Sequence, residues 1–329
     1  MLPVNAGQPN SGDFCRYNWL LPAIKNVKKP MDSHRLFLWK EGIRMSLIEQ
    51  DITKRKERRH EDYTKLIGKP GYIAPDNHLW QDILSAVVLR KPVLLKGPTG
   101  AGKTKLAESI SALFGQPMQS INCSVDLDAE ALLGFKTLVQ RDGQSVIEFV
   151  EGPVVTAMKK GHFLYIDEIN MAKAETLPIL HSALDHRRMM TNPFTGEVIE
   201  AHPDFGVISA INEGYIGTAP MNEALKNRFI AYPIPYLTGQ QLAELWNREF
   251  PDADATLKSF MLNLAEDLMK QVKNGLLSEE AASIRSLLDA TALAQYMDPL
   301  RAVRYAIAEK LEDESERDLF MDLAHTWKK

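Results

Sequence analysis

The chain has 329 residues, 45% of them hydrophobic and 25% charged, with a formal net charge of −4. That apolar content suffices for one large α/β domain with a smaller one attached, and the slight acidity argues against a surface built for non-specific nucleic-acid binding. Cys15 and Cys123 are the only cysteines, too few and too far apart for a disulfide framework or a metal knuckle, which points to a reducing cytoplasm, and no apolar run approaches membrane-spanning length.

Residues 1–44 open with a turn-rich run of Asn5, Gly7, Pro9, Asn10, Ser11 and Gly12, and their later apolar clusters hold no sustained period, so no fold is expected there. Lys40-Glu41-Gly42 can be encoded by a purine-rich ribosome-binding sequence just ahead of Met45, which makes Met45 the expected native start. Residues 45–67 read as a weakly helical leader. The basic run Lys54-Arg55-Lys56-Glu57-Arg58-Arg59 is interrupted and followed by carboxylates and is expected to be a solvated helix face. Gly68 to Pro75 is a linker, and Asp76 should cap a helix in which Leu79, Ile83 and Val87 share one face.

Val93, Leu94 and Leu95 should form a buried strand, and Leu106, Ala107, Ile110, Leu113 and Phe114 give the apolar stripe of the helix after it. Between them Gly97, Pro98, Thr99, Gly100, Ala101, Gly102, Lys103 and Thr104 fit G-x-x-x-x-G-K-[ST]. Glycines there let consecutive backbone N–H groups turn inward around a polyphosphate, and the helix N-terminus adds positive dipole. Lys103 would reach the terminal phosphates and the Thr104 hydroxyl would ligate Mg²⁺. A fortuitous glycine-rich turn is the alternative.

Met118 to Cys123 reads as a second strand and Asp126 to Leu133 as a short helix closed by Gly134. Lys136 to Val150 carries two β-prone stretches about Asp142-Gly143, a hairpin signal, and Val154 to Lys160 gives two helical turns ended by Gly161. His162 to Asn170, HFLYIDEIN, runs four apolar or aromatic residues into adjacent carboxylates at a strand end. Asp167 can hold a water on Mg²⁺ and Glu168 can polarise the attacking water as general base; the alternative is a strand followed by an acidic helix cap. Arg188 to Ala201 holds a second hairpin, and Phe205 to Ile211 a strand ending at Asn212, whose amide either faces the same crevice or forms a turn. A short helix over Met221 to Asn227 ends at Arg228, and Ile230 to Ile234 is a fifth strand. From Thr238 the pattern is helical: Thr238 and Gln241 suggest a capping box, and apolar stripes follow over Leu257 to Val272, around Arg285, and from Asp298-Pro299 to Leu311. None of the eight histidines falls at a metal-ligand spacing.

With GPTGAGKT at 97–104, LYIDEIN at 164–170, ISAIN at 208–212, LKNRF at 225–229 and SIR at 283–285, the chain resembles the AAA+ ATPases of the MoxR type over about residues 68–310, in the branch of CbbQ, NirQ, NorQ and GvpN. The resemblance implies an α/β fold: a P-loop NTPase core of three αβα layers around a five-stranded parallel sheet at 68–237, and a C-terminal α-helical lid at 238–329. It implies ATP with Mg²⁺, and a homo-oligomeric ring, usually a hexamer. By the same likeness Asn212 would be sensor 1, Arg228 the arginine finger offered to the neighbouring subunit and Arg285 sensor 2 from the lid. For Arg228 a surface helix cap is the alternative, with Lys226 and Arg187-Arg188 as rival cations. Gly71 to Ile73 resembles the adenine-contacting linker, and no N-K-x-D string favours GTP. The hairpins resemble the helix-2 insert, around Val139 to Gly161, and the pre-sensor hairpin, which in relatives face the pore and engage clients. The implied work is ATP-driven remodelling of a protein client, often one with a von Willebrand factor A domain, in enzyme activation or metal-centre maturation. A gas-vesicle role like that of GvpN, a nucleic-acid-dependent restriction-type NTPase and a nucleotide-gated switch are the competing expectations.

Overall fold

The computed structural model describes residues 33–58, 60–123, 127–142, 144–173, 176–212 and 221–328. Expectations for residues 1–32, Arg59, Asp126 and Gly143 lie outside the described residues. The chain divides into two compact units, Met1–Leu47 and Ile48–Lys329, and every contact given below lies within the second.

Helix α1 (Ser33–Lys56) starts ahead of Met45, inside the stretch for which no fold is expected. Its Leu, Arg, Lys, Glu and Met residues are good helix formers, so intrinsic propensity carries a helix that lacks an apolar stripe. After a 3₁₀ turn at Glu61–Leu66 and the linker comes α2 (Asn77–Val88), whose first turn is capped by the Asp76 carboxylate accepting the His78 N–H at 2.6 Å.

The core then runs β1 (Val93–Gly97), α3 (Lys103–Phe114), β2 (Met118–Asn122), α4 (Ala129–Leu133), β3 (Gly134–Arg141), β4 (Gln144–Glu151), α5 (Pro153–Lys160) and β5 (Phe163–Asp167). It continues through α6 (Leu177–Leu184), β6 (Met189–Thr191), β7 (Val198–Glu200), β8 (Gly206–Asn212), α7 (Glu223–Lys226) and β9 (Ile230–Pro233). Five of these strands form one parallel sheet in the order β2-β5-β8-β1-β9. Parallel neighbours require crossovers that cover the faces, which is why β1, β5 and β8 are mostly apolar and bury most of their residues. Register sets Gly97 beside Asn212 and Asn122 beside Asp167, and because Ile166 lies beside Ser209 the β1–β8 pair runs about two residues beyond the β2–β5 pair at the carboxyl edge.

The expected hairpins are present as separate two-stranded sheets, with Leu138 opposite Ile147 in β3–β4 and Met190 opposite Ile199 in β6–β7. Lys159 of α5 ties them together, its ammonium 2.7 Å from both Glu151 and Glu197.

Helices α8 (Gly239–Glu249), α9 (Ala255–Lys273), α10 (Ile284–Ala294), α11 (Pro299–Ala306) and α12 (Glu314–Trp327) build a second core in which Trp246, Leu264, Leu287, Val303 and Phe320 are buried together. Asp254 and Asp298 cap α9 and α11 through their carboxylates. The expected capping box at Thr238 does not form. The Thr238 side chain makes no cap bond, and Gln241 donates instead to the Pro75 carbonyl at 3.3 Å, because the linker runs close enough to compete for its amide.

A second correction concerns the basic run. Arg55 is not on a solvated face: it is 2% exposed, pairs with Asp51 at 2.8 Å, donates to Gln116 Oε1 at 3.1 Å and stacks over the Phe114 ring at 4.9 Å. Buried Asp204 accepts from Arg58 and faces Arg90 at 3.7 Å. Arg90, Gln116 and Asp204 come just before β1, β2 and β8, so this cluster sits at the amino ends of the strands.

Candidate functional site

At the opposite ends of the strands, the glycine-rich loop leaves β1 and enters α3. Two of its glycines are required by their surroundings. A Cβ on Gly97 would stand 2.2 Å from the Ile234 carbonyl oxygen, and Gly100 combines a φ of +81° with a Cβ position 2.6 Å from Ser283 Oγ. The loop is therefore pressed against the start of lid helix α10. The Tyr236 hydroxyl adds a second tie, lying 3.1 Å from the Thr99 carbonyl oxygen and 3.0 Å from that of Glu279.

Lys103 is 6% exposed, and its ammonium donates to the Gly97 and Pro98 carbonyls at 2.8 and 2.7 Å. Burial lowers its pKa to about 8, against the opposing charge of Asp167 and Glu279. A cation desolvated in this way, whose direct partners are neutral carbonyls of its own loop, stands to gain from an arriving anion.

Asp167 and Glu168 follow the buried run of β5, where side chains open toward the crevice. Glu168 adopts a φ of +51°, a left-handed conformation uncommon outside glycine and concentrated at functional sites. The turn carries its carboxylate toward β8, where the Asn212 amide donates to Glu168 Oε1 at 3.2 Å. Asp167 Oδ1 accepts the Glu168 N–H at 3.0 Å and fixes the corner.

A cavity of about 490 Å³ joins these parts. Its lining combines the loop from Thr99 to Thr104, the polar side chains of Asp167, Glu168 and Asn212, the apolar ones of Tyr72, Ile73, Leu245 and Leu288, and the exposed Arg285. The linker is held there by the Tyr72 N–H donating to Ser109 Oγ at 2.9 Å. Thr104 and Asp167 offer hard oxygen donors of the kind Mg²⁺ prefers, few enough that water and a phosphate would complete the coordination. Among the described residues no group of three or more His, Cys, Asp or Glu could hold a metal by itself.

Of the residues singled out in the sequence, the structure gathers Thr99 to Thr104, Asp167, Glu168, Asn212 and Arg285 around this cavity, with Gly97 and Pro98 at the root of the loop. Arg228 is not among them: half-buried beyond α7, it donates to the Ala224 carbonyl at 2.5 Å, the bond of a helix-capping residue. Among the residues at the site not singled out in the sequence, two bear on the chemistry. Asn122 ends β2 level with Asp167 and lines the cavity, and the strand-end argument used for Asn212 would have found it. Tyr165, one of the four apolar or aromatic residues of the β5 run, places its hydroxyl 3.0 Å from Thr104 Oγ1, and its position two residues before Asp167, on the same face of β5, was the available signal.

The chain matches the model of the AAA domain (dynein-related subfamily) over residues 92–229. It is 54% identical over 280 residues to the uncharacterized protein YojN of Bacillus subtilis, spanning 85% of this chain and 92% of that one. It is 53% identical over 250 residues to the uncharacterized protein SH1500 of Staphylococcus haemolyticus, spanning 76% and 95%. Among solved structures it is similar to NtrX from Brucella abortus, at 19% identity and a TM-score of 0.46, over 91% of this chain and 68% of that one. Among the described residues no helix is long and apolar enough to cross a membrane.

Proposed function

The chain belongs to one family with YojN and carries an AAA domain of the dynein-related subfamily, and from that premise we propose that it is an ATP-hydrolysing, chaperone-like remodelling machine of the MoxR type that works in the cytoplasm as a homo-oligomeric, hexameric ring. The observation that carries the reading is the Asn212 amide holding the Glu168 carboxylate at 3.2 Å in the cavity that the phosphate loop also lines. A carboxylate so held can take the proton of a water directed at a γ-phosphate lodged on the loop. Lys103 would exchange the Gly97 and Pro98 carbonyls for phosphate oxygens, and Thr104 and Asp167 would hold Mg²⁺, which supplies charge neutralisation on the triphosphate. Ile73, Leu245 and Leu288 would receive the base, and Arg285 would approach the phosphates from the lid.

Arg228 lies off its own cavity, which supports its presentation to a neighbouring subunit as the charge-stabilising finger. The client reading rests on the β3–β4 hairpin, where the facing pair Leu138 and Ile147 is 71% and 67% exposed, an apolar grip of the kind that binds an unfolding or partner chain. A partner with a von Willebrand factor A domain is the proposed client class. The direct test is Glu168→Gln: ATP binding and assembly by light scattering should persist while steady-state hydrolysis falls by about 100-fold or more. Undiminished hydrolysis would remove Glu168 as the base.

A further inference from the structure

Thr104 can serve a metal only through an oxygen lone pair, so its single O–H must point to an acceptor elsewhere. The acceptor within reach is the Tyr165 hydroxyl, 3.0 Å away and on a side chain that is 2% exposed. Tyr165 stands two residues before Asp167 on β5, so both side chains leave the strand on one face. A phenol buried in this way needs an acceptor for its own proton. The Asp167 carboxylate lies within hydrogen-bonding reach of the phenol and is that acceptor.

We propose that Tyr165 is a positioning residue for the metal: Thr104 donates its proton to the Tyr165 hydroxyl, Tyr165 donates onward to the Asp167 side, and the Thr104 lone pair is thereby aimed at Mg²⁺. No proton is transferred; the three groups are only oriented. Tyr165 is thus the spacer that lets a carboxylate on β5 orient a hydroxyl on α3 without giving up its own face to the metal.

This inference rests on the nucleotide-binding reading above, and the test separates the two. Full-length wild type and Tyr165→Phe are titrated with a fluorescent N-methylanthraniloyl ATP, first in excess EDTA and then at rising Mg²⁺, with thermal melting as the check on folding. Tyr165→Phe is expected to raise the Mg²⁺ concentration for half-maximal tightening of nucleotide binding roughly five- to tenfold, the worth of one hydrogen bond at an ionic site, and to leave affinity in EDTA unchanged. In a Thr104→Ala background the same substitution should add nothing, because the hydroxyl it orients is gone. An unchanged or lowered Mg²⁺ requirement, an equal loss of affinity in EDTA, or additive effects in the Thr104→Ala background each overturn the proposal. Wild type that fails to bind the nucleotide with or without Mg²⁺ overturns the proposed function instead.

Discussion

The two ends of the parallel sheet each bury a cation, and they answer its charge in opposite ways. At the amino ends Arg55 is met by Asp51, Gln116 and Asp204, and Arg58 and Arg90 face Asp204 as well. At the carboxyl ends Lys103 is desolvated to a comparable degree but rests on two backbone carbonyls. Burial depresses both, Arg55 to about 10 and Lys103 to about 8. A buried cation faced by carboxylates fixes the position of α1's last turns against the sheet, whereas one that rests on neutral carbonyls keeps its charge for an anionic ligand. Structural and functional burial of charge differ here in the partners, not in the depth.

That contrast is broken most severely by Lys103→Ala. Nucleotide affinity should fall by about 100-fold or more, the effect of removing the charge that answers the terminal phosphates, while thermal stability holds or rises because a poorly paired buried cation is gone. Equilibrium binding and melting on the same protein check it, and a melt lowered along with affinity would mean that Lys103 is also a structural ion. Arg55→Ala should do the reverse. Leaving Asp51 and Asp204 without their buried partner should cost about 3 kcal/mol of stability, the low end for such a loss because Arg58 and Arg90 still face Asp204. Nucleotide affinity of the folded fraction should change less than about twofold, since additivity holds for sites at opposite ends of the strands. Denaturant unfolding and binding isotherms measure the pair.

A smaller loss is expected from Asn212→Ala, which leaves the loop and its cation intact and frees only the Glu168 carboxylate. Hydrolysis should slow by about tenfold or somewhat more, the value of one hydrogen bond to a charged group, with nucleotide affinity nearly unchanged. A fall in affinity equal to the fall in turnover would place Asn212 on the nucleotide rather than on the base.

The carboxyl-end site was far more legible in the sequence than the amino-end network. Gly97 to Thr104 is contiguous, and its chemistry depends on backbone N–H groups whose geometry the glycines announce. Asp167 and Asn212 could be placed because each ends an apolar run, and strand ends of a parallel sheet converge. Arg55 offered no such signal. Its charge sits in a run that resembles any solvated helix face, and its partners Gln116 and Asp204 come from loops distant in sequence. Tyr165 was hidden for a related reason: a strand face shared with Asp167 reads as core until its neighbour on α3, Thr104, is known. The left-handed turn at Glu168 was equally invisible, since only the tertiary pull of Asn212 justifies it. The capping box failed in the opposite direction, a correct local pattern overridden when Pro75 came within reach of Gln241.

The smallest expected effect is also the one that separates the two cations by chemistry alone, because only Lys103 titrates within an accessible range. In the free protein its pKa of about 8 lies below the ordinary lysine value, and a phosphate at the ammonium would raise it again. Below pH 8 both free and bound forms carry the proton, and affinity should be flat. Above it the free protein loses the proton that the complex keeps, so binding must take one up and affinity should fall by up to about tenfold per pH unit. Stability of the ligand-free protein runs the other way: between pH 8 and the ordinary lysine value the unfolded chain binds more protons than the folded one, so Lys103 makes stability rise with pH. Titration calorimetry in buffers of different ionisation enthalpy reads the uptake directly, with no proton taken up at pH 7 and close to one at pH 9. Affinity that is level from pH 7 to 9 would mean that Lys103 is already paired with an anion before the nucleotide arrives, and the distinction between the two ends of the sheet would disappear.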